Sequence, residues 1–495
     1  MAPMSRATVL RTCLPVFGLF AVAAATAALT VACSVVSKVD YSECAESSEC
    51  RTAFGLGWVC GDAGLCEEVE LDARCDTVFP KDLLKDPEKY QGAIIFGSLF
   101  DHNKANGDLI LVIAANLAIT EDNSSGLTDG RLFGMVHCDY QENLDIDSKT
   151  SDVAAVDGAK FLVDKMGVSV IVGPGTSGLA EAVFTELQKP VHAPQALMIS
   201  PSATSPSLTD IDVRDGDKPG LFWRSAPSDS VLSQVLAERM VATGITTAYV
   251  IYADDSYSSG LANALDKNFE PTLNRVGFSD ATGIVPAVQS VAMNPPGAEV
   301  AVVFIGADVD QVVTFLNTAS TNMSGFYENV SIFLGDAAYN EDVIAQTSDV
   351  AAKLYPNVRG VFPGSPSGVV YGSFVSAYAA AYPNEKATDA SYSPYTYDAA
   401  WLAIYGAAWA EYQREGSTGL DLAYGLQQVS SPLGLPVDLG QGTWNTVKRE
   451  FKAGHGINIT GASGKLDYNP ETEETSAEVI FWKIKDDQTG FENVP

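Results

Sequence analysis

Short apolar runs alternate with amphipathic segments along most of the chain from residue 92 onward. The runs are rich in Val, Ile and Phe and stop at Gly, Pro or Asp, which is typical of buried strands. We predict strands at residues 93–100, 131–138, 168–172, 196–199, 247–252, 299–305 and 330–334. Apolar positions at helical spacing predict helices at residues 108–120, 153–166, 177–187, 231–243, 257–269, 369–381 and 395–412. This order of elements is typical of an α/β protein with doubly wound, mostly parallel sheets.

Two neighbouring strand ends are followed by clusters of hydroxyl groups. One predicted strand stops at Gly173 and leads to Ser177, where a helix is predicted to begin. The next strand leads into Ser202 and Thr204. Two parallel strands joined by a helix bring both loops to the same edge of a sheet, where α/β proteins hold their ligands. Hydroxyls and free backbone N–H groups at a helix start suit a carboxylate, so we predict a binding site at this edge.

The length of the chain, its net charge and the absence of several motifs argue against some classes of protein. A chain of 495 residues is too long for one core, so two or three domains are expected. The formal net charge of −32 would repel a polyanion, which makes nucleic acid a poor partner. The sequence contains no phosphate loop, no H-E-x-x-H and no G-x-S-x-G. No two of the four histidines share a metal-ligand spacing: His102, His137, His192 and His455. We therefore expect neither a metal nor a cofactor.

Residues 1–33 resemble an export signal. Arg6 and Arg11 precede an Ala-rich apolar run, residues 14–31, that ends in small residues. The end of the segment resembles a lipoprotein signal, with Cys33 as the lipid acceptor. The alternative is an uncleaved membrane anchor, since the run nearly reaches the ~20 residues that span a bilayer. A proline, a glycine and many alanines make it a poor spanning helix, so lipidation is favoured.

Cysteine usage changes after this segment. Four cysteines lie close together among Glu, Ser and Gly residues that cannot build an apolar core: Cys44, Cys50, Cys60 and Cys66. After an export signal they are expected to be oxidised, so residues 34–75 are predicted to be a disulfide module and linker. A four-cysteine metal site is the alternative, but the spacings are wider than is usual for such sites. Resemblance to small secreted knots implies the alternating pairs Cys44–Cys60 and Cys50–Cys66.

Two further cysteines lie near the point where the chain enters the main domain and in that domain's second predicted strand. A bond between Cys75 and Cys138 would tie this entry to the second predicted strand. The module before it is expected to be a spacer between lipid and binding domain, and a docking surface is the alternative. Both roles leave ligand binding to the rest of the chain.

Four stretches together resemble a known family. They are residues 173–177, 199–209, 252–257 and 461–468. In this order they resemble the ligand loops of type I periplasmic binding proteins. Among these proteins, the resemblance is to the branched-chain (Leu/Ile/Val) amino-acid binding proteins of ABC importers. The resemblance extends over roughly residues 90–490.

The resemblance implies a two-lobed Venus flytrap fold. The first lobe would comprise residues 88–223 and 363–455, and the second residues 224–362 and 456–490. Residues 461–468 and 478–484 would be closing strands of the second lobe. Each lobe would be a doubly wound, mostly parallel sheet. Three passages of the chain between the lobes imply a hinge and a cleft that closes on its ligand.

The resemblance also implies which first-lobe residues bind the ligand. Ser177 and Thr204 match positions that hold a carboxylate through hydroxyl and backbone N–H groups. The carbonyl of Ser202 can accept a hydrogen bond from an ammonium group, and Ala203 lies between these two residues on the same loop. The ligand implied is an amino acid or a close analogue.

Five further positions match the site less uniformly. Asp336 matches the family's acidic partner of the ammonium group, more often a Glu, and Tyr257 matches an aromatic residue that lines the cleft. Asn106 stands where the family commonly has a pocket aromatic, so it would make that wall more polar. Asp308 either caps a helix or adds a second negative charge to the cleft, and Tyr395 either lines the cleft or packs in a Tyr-rich run.

Two classes of function compete for this fold. The first is a binding protein that delivers its ligand to an ABC permease in the inner membrane. The second is a surface receptor that signals ligand occupancy without transport. Fold alone does not decide between them, and no base stands beside a nucleophile in a recognisable motif, so an enzyme is not expected. We expect a monomer in the periplasm or at the cell surface, anchored by lipid to a bacterial membrane. By resemblance to bacterial sorting rules, Ser34 after the lipidated cysteine implies the outer membrane.

Overall fold

The computed structural model describes residues 43–103, 108–125, 130–212, 214, 218–364, 367–475 and 479–494. The expected signal segment with Cys33 lies outside these residues, as does Asn106. Residues 42–495 form one unit. Within the described residues, no helix is both long and apolar enough to cross a membrane.

The cysteine-rich segment folds into one helix and one hairpin. The elements are α1 (Ser47–Phe54), β1 (Trp58–Cys60) and β2 (Cys66–Glu68), and the two strands pair antiparallel. Its disulfides are Cys44–Cys60 and Cys50–Cys66. The predicted alternating connectivity is therefore confirmed. Because these four thiols are oxidised, they do not form the alternative metal site.

The first lobe is built on a six-stranded sheet. Its strands are β3 (Thr77–Phe79), β4 (Ile94–Phe100), β5 (Phe133–Asp139), β6 (Val170–Val172), β7 (Leu197–Ser200) and β8 (Phe222–Arg224). They lie in the order β3-β5-β4-β6-β7-β8, and only the edge strand β3 is antiparallel to its neighbour. The helices between these strands are α2 (Asp108–Ser125), α3 (Ser151–Lys160) and α4 (Ser177–Leu187). Residues of α2 belong to one apolar cluster, and residues of α3 and α4 to another, so the sheet has helices on both faces.

The second lobe repeats this design. Its parallel strands are β9 (Thr247–Ala253), β10 (Thr272–Phe278), β11 (Val300–Ile305), β12 (Ser331–Leu334) and β13 (Val358–Pro363). Its helices are α5 (Asp229–Ala242), α6 (Ser256–Asn268), α7 (Ile284–Val291), α8 (Val309–Thr321) and α9 (Glu341–Ala351). Residues of α5 and α6 pack in one apolar cluster and those of α7, α8 and α9 in another. The sequence did not predict β10, because this edge strand exposes most of its residues and has no apolar run.

The chain then returns to the first lobe. The returning elements are α10 (Gly368–Ala381), α11 (Ser393–Gln413), α12 (Gly419–Leu426), β14 (Leu435–Asp438), α13 (Trp444–Lys452) and β15 (Ile457–Thr460). The four helices join the apolar cluster of α2, and β14 and β15 form a separate parallel pair. The core of the first lobe is thus completed by residues far along the chain.

Residues 456–468 pack in the first lobe, whereas we expected them in the second. The buried residues of this segment belong to the cluster of α2 and α11: Ile457, Ile459, Ala462, Leu466 and Tyr468. Residues 461–468 form turns and isolated bridges in place of the expected closing strand. Asp398 on α11 holds this segment as well, since its carboxylate accepts hydrogen bonds from the backbone N–H groups of Ala462 and Ser463 at 2.8 Å.

The last strands complete the second lobe. Strand β16 (Val479–Ile484) pairs antiparallel with β13, and β17 (Phe491–Asn493) pairs antiparallel with β16. The second sheet therefore has seven strands in the order β10-β9-β11-β12-β13-β16-β17. The chain passes between the lobes three times, as predicted. The two-lobed α/β architecture with mostly parallel sheets is confirmed.

The cysteine-rich module packs against the first lobe. Leu56, Val69 and Leu71 contact the apolar cluster that contains α3 and α4. Arg51 Nη2 donates a hydrogen bond to the Lys165 carbonyl at 2.8 Å, just before β6 begins. The Cys75–Cys138 disulfide forms as predicted and joins the module's end to β5. Arg51 therefore lies near the amino end of β6, at the edge of the sheet opposite the predicted ligand loops, whereas Cys75 at the end of the module lies at the carboxyl end of β5.

Candidate functional site

The two hydroxyl-rich loops of the first lobe are joined by hydrogen bonds at the carboxyl ends of β6 and β7. Ser202 Oγ donates to the Gly175 carbonyl at 2.9 Å. The Ser205 N–H donates to Ser177 Oγ at 3.1 Å. Ser177 is the first residue of α4, so these bonds position the helix end whose backbone N–H groups have no partner within the helix. The partial positive charge of a helix N-terminus favours an anion there.

Asp336 lies at the carboxyl end of β12 and receives hydrogen bonds from both lobes. Its side chain is 6% exposed. Tyr257 of α6 and Tyr392, directly before α11, donate their phenolic O–H groups to its two carboxylate oxygens. The Ala337 N–H donates to it as well, at 3.1 Å. Burial raises the pKa of Asp336, and the hydrogen bonds from the two tyrosines oppose that rise.

A second buried carboxylate, that of Asp229, lies near Asp336. Asp229 is the first residue of α5 and is fully buried. Thr204 Oγ1 donates to Asp229 Oδ2 at 2.9 Å, and the Asp229 N–H donates to the Thr204 carbonyl at 2.8 Å. Within the described part of the chain, Asp229 Oδ1 has no hydrogen-bond partner. Burial, and secondly the negative charge of Asp336, raise the pKa of Asp229 well above its ordinary value.

A buried guanidinium lies beside these acids, and its hydrogen bonds go to other groups. Arg224 donates to the carbonyl oxygens of Ala203 at 3.2 Å and Ser205 at 2.8 Å, and also to the Glu474 carboxylate. It holds the binding loop in place and moderates the rise in the pKa of Asp229 by its charge. The ion-pair partner of Arg224 is Glu474, so this guanidinium donates no hydrogen bond to Asp229 or Asp336 among the described residues.

The two lobes touch each other beside this site. The Ser256 carbonyl on α6 accepts a hydrogen bond from Ser205 Oγ at 2.8 Å, and Ser256 Oγ donates to Glu181 Oε2 on α4 at 3.0 Å. A Cβ atom at Gly260 would lie 2.2 Å from Ser205 Oγ, so a larger residue there would displace the Ser205 side chain from its present position. The lobes are therefore closed on each other.

Most of the residues predicted for the site come together. On the first lobe these are Ser177, Ser202, Ala203 and Thr204. On the second lobe, Tyr257 bonds to Asp336. Thr204 also donates a hydrogen bond to Asp229, the first residue of α5 in the second lobe.

Two predicted residues lie elsewhere. Tyr395 is buried, and its O–H donates to the Pro363 carbonyl where the chain leaves β13. It therefore packs between the chain crossings and does not bond to Asp336. Asp308 is exposed and caps α8, accepting a hydrogen bond from the Gln311 N–H at 2.8 Å. Of the two roles considered for Asp308, the structure has the helix cap.

Sequence reasoning missed Asp229 and Tyr392. Asp229 follows Ser228, which caps α5 through a hydrogen bond from the Ser230 N–H, so an acid in the first helical turn needed no other explanation. Tyr392 opens the Tyr-rich run from which Tyr395 was chosen. The Tyr-rich run was the sequence signal for this position. Which of its tyrosines reaches Asp336 depends on how α11 is oriented in the fold.

The sequence profile of a family described as "Receptor family ligand binding region" matches residues 111–486. The chain belongs to this family. Its members are ligand-binding regions of receptors and related binding proteins. One relative is the chemotactic signal transduction system substrate-binding protein BasB of Halobacterium salinarum. It is 25% identical over 378 residues, which cover 74% of this chain and 80% of BasB.

Solved structures with the same fold come from several bacteria. The leucine-binding protein LivK of Thermotoga maritima is 16% identical with a TM-score of 0.59, covering 81% of this chain and 98% of LivK. LivJ of Streptococcus pneumoniae, solved with isoleucine, is 19% identical with a TM-score of 0.58, covering 81% of this chain and 99% of LivJ. A solute-binding protein of R. palustris, solved with 4-hydroxybenzoate, is 13% identical with a TM-score of 0.60, covering 81% and 95%. The resemblance to type I periplasmic binding proteins is confirmed at the level of the fold.

Proposed function

We propose that this protein is an extracytoplasmic solute-binding protein that captures an amino acid or a close analogue between its lobes and delivers it to an ABC importer. The observation that carries the proposal is the pair of buried acids, Asp229 and Asp336, opposite loops of hydroxyl and N–H donors. An acid pair stabilises an ammonium group, and donors at a helix N-terminus stabilise a carboxylate. A zwitterion provides both groups at a fixed separation.

Each end of the ligand has assigned partners in this proposal. Ser177 holds the carboxylate through its hydroxyl and backbone N–H groups, and Thr204 holds it through its backbone N–H, because the Thr204 hydroxyl proton is donated to Asp229. The Ser202 carbonyl and Asp336 accept hydrogen bonds from the ammonium group. Tyr257 orients Asp336 and lines the cleft. Closure of the lobes removes water from these contacts, which strengthens the charged hydrogen bonds.

The side-chain end of the pocket is proposed to prefer a polar or cationic group. Tyr140 O–H donates to the Asp108 carboxylate at 2.9 Å at the same edge of the first sheet. A Cβ atom on Gly175 would lie 3.7 Å from that Tyr140 oxygen, so the pair borders the ligand loops. Burial raises the pKa of Asp108 to about 6. A cationic side chain would keep this carboxylate ionised and gain an ion pair.

A thermal-shift panel tests the proposed ligand class. L-amino acids, their amides, short peptides and polyamines should be compared with 4-hydroxybenzoate and other carboxylates that lack an ammonium group. A ligand present at a hundred times its dissociation constant should stabilise the fold by about 2.7 kcal/mol. We expect L-amino acids to raise the melting temperature. Shifts from carboxylates without an ammonium group alone would contradict the proposal.

A sensory role is the second candidate, and BasB supports it. Its name places it in a chemotactic signal transduction system. The same cleft would then report ligand occupancy to a membrane partner. Crosslinking in membranes, followed by identification of the captured protein, separates the two roles. An ABC permease supports transport, and a transmembrane signalling protein supports sensing.

We further propose that Cys33 is the lipidated first residue of the mature protein. The basic start, the apolar run and the small residues before Cys33 support this. Mass spectrometry of detergent-extracted protein should show a diacylated Cys33, and Cys33→Ser should leave the precursor unprocessed. A mature chain that still carries residues 1–33 would contradict lipidation.

A further inference from the structure

The turn of residues 468–475 is connected to the binding loop, residues 202–205, through the carboxylate of Glu474. Glu474 Oε1 accepts hydrogen bonds from Thr209 Oγ1 at 2.6 Å and from the guanidinium of Arg224. Arg224 Nη2 also donates to Thr209 Oγ1, at 3.2 Å. A carboxylate, a hydroxyl and a guanidinium from three separate segments of the chain therefore form a closed set of three hydrogen bonds.

The same turn is fixed to β8 by two further contacts. Both carboxylate oxygens of Glu473, which is 2% exposed, accept from the Gly220 N–H at 2.9 Å, just before β8 begins. Tyr468 O–H donates to the Arg224 carbonyl at 3.0 Å, and its ring lies edge-on to Trp223 with the centroids 4.8 Å apart. These contacts fix the position of the turn, so it can anchor the Arg224 guanidinium.

The anchored guanidinium determines the direction of one peptide unit in the binding loop. Arg224 Nη1 donates to the carbonyl oxygens of Ala203 at 3.2 Å and Ser205 at 2.8 Å. The peptide between residues 203 and 204 is trans, so its carbonyl and its N–H point in opposite directions. The Thr204 N–H therefore points away from Arg224. Among the described residues this N–H donates no hydrogen bond although Thr204 is 1% exposed, so it is available to a ligand.

We propose that Glu474 is a positioning residue for ligand binding, because through Arg224 it directs the Thr204 N–H at the carboxylate of the ligand. This rests on the proposed function only in so far as the ligand carries a carboxylate. Without the charge of Glu474, the buried guanidinium loses its ionic partner, moves to other acceptors and releases the Ala203 carbonyl. The peptide can then rotate and present an oxygen in place of a proton to the ligand carboxylate.

Binding measurements with two ligands separate this role from a structural one. The ligands are the tightest-binding carboxylate of the thermal-shift panel, with or without an ammonium group, and its carboxamide. Glu474→Gln should weaken carboxylate binding by about 10- to 100-fold, the range of one hydrogen bond to a charged group. Carboxamide binding should weaken much less, because a neutral oxygen gains less from the N–H. Unchanged carboxylate affinity, or equal losses for both ligands, would overturn the inference.

The matched control for this experiment is Glu471→Gln. Glu471 is an exposed acid on the same turn, and the substitution is chemically the same. It should change the affinity for neither ligand. A loss of carboxylate affinity as large as that of Glu474→Gln would show that the net charge of the turn, and not the bond to Arg224, determines binding.

A milder pair of substitutions covers the case in which Glu474→Gln does not fold. Thr209→Val removes one hydroxyl from the set of three hydrogen bonds at nearly constant volume. It should lower the preference for the carboxylate over the carboxamide by about 2- to 10-fold. Thr209→Ser keeps the hydroxyl and should retain the wild-type preference. An unchanged preference in Thr209→Val, or an equal loss in Thr209→Ser, would contradict the inference.

Ligand-free crystal structures test the peptide directly. In Glu474→Gln, or in Thr209→Val if the former does not fold, we expect the Ala203 carbonyl to turn away from Arg224, whereas the wild type keeps this contact. An unchanged peptide would overturn the inference whichever ligand binds. If only carboxylates without an ammonium group bind, the proposed amino-acid function fails, and the comparison of carboxylate with carboxamide still decides the role of Glu474.

Discussion

The two lobes share one architecture but contribute opposite chemistry to the cleft. In both, parallel strands end at the cleft and helices cover the two faces of the sheet. The first lobe contributes hydroxyl and N–H donors on two loops, represented by Ser177 and Thr204. The second contributes the carboxylates of Asp229 and Asp336. A ligand with unlike charges at its two ends would therefore bind in one orientation.

The difference arises from the residues that come directly after the strands. In the first lobe, the strands lead into Gly, Pro, Ser and Thr residues, whose tight turns leave backbone N–H groups free at a helix start. In the second lobe, β12 leads into Gly335 and Asp336, and α5 begins with Asp229. A similar sheet can thus bind either charge, depending on a few residues beyond its strand ends.

The largest expected effect comes from removing the acid of the second lobe. Asp336→Ala should weaken amino-acid binding by roughly 3–5 kcal/mol, because it leaves a buried ammonium without its carboxylate. Isothermal titration measures this loss. Asp336→Glu is the matched control, since it keeps the charge and should keep most of the affinity. Normal binding by Asp336→Ala would refute the division of roles between the lobes.

A buried acid of the first lobe should affect stability instead. Asp122 on α2 is fully buried, and among the described residues neither of its carboxylate oxygens has a hydrogen-bond partner. Burial raises its pKa from 3.8 to about 7. Since each pKa unit corresponds to about 1.4 kcal/mol, Asp122→Asn should raise the free energy of unfolding near neutral pH by roughly 2–4 kcal/mol.

The pH dependence tests the same residue with a defined sign. The folded protein retains a proton on Asp122 that the unfolded chain releases, so this group's contribution to stability rises as the pH falls from about 7 to about 4. Asp122→Asn should remove this part of the pH dependence. Urea denaturation at several pH values measures it, with ligand affinity as the control that should not change. An unchanged pH profile would show that Asp122 does not titrate in this range.

Removing a donor from the first lobe should have a smaller effect than removing an acid from the second. Ser177→Ala should weaken binding by roughly 1–3 kcal/mol, the range for one hydrogen bond to a charged group. The same substitution also removes the acceptor of the Ser205 N–H, so the melting temperature of the ligand-free protein should be measured in parallel. A loss as large as that of Asp336→Ala would show that the first lobe supplies more than hydrogen-bond donors.

The smallest expected effect on affinity comes from deleting the cysteine-rich module. Within the described part of this module, Arg51 contacts the first lobe just before β6 begins, away from the ligand loops, so deletion of residues 34–70 should change affinity by less than about twofold. The melting temperature should fall, because Leu56 and Val69 no longer cover the cluster of α3 and α4. A large loss of affinity would show that the module contributes to the cleft.

Much of the architecture can be predicted from local sequence patterns. Buried strands such as β11 and β12 are short apolar runs that end at turn residues, so their positions follow from neighbouring residues alone. The loops around Ser177 and Thr204 could be predicted for the same reason, since they continue from such strands. Edge strands such as β10 could not, because an exposed strand lacks the apolar run.

By itself, the sequence determined the order of helices and strands, the alternation that produces two α/β lobes, and the hydroxyl-rich ends of β6 and β7. These depend on propensity, periodicity and turn chemistry, which act over a few residues. Only the tertiary structure decided that residues 456–468 pack in the first lobe, that Tyr392 rather than Tyr395 reaches Asp336, and that Asp229 lies near that same acid. Each of these depends on contacts between segments far apart in the chain. An apolar strand or a tyrosine can satisfy its local pattern in either lobe, and packing selects one of them.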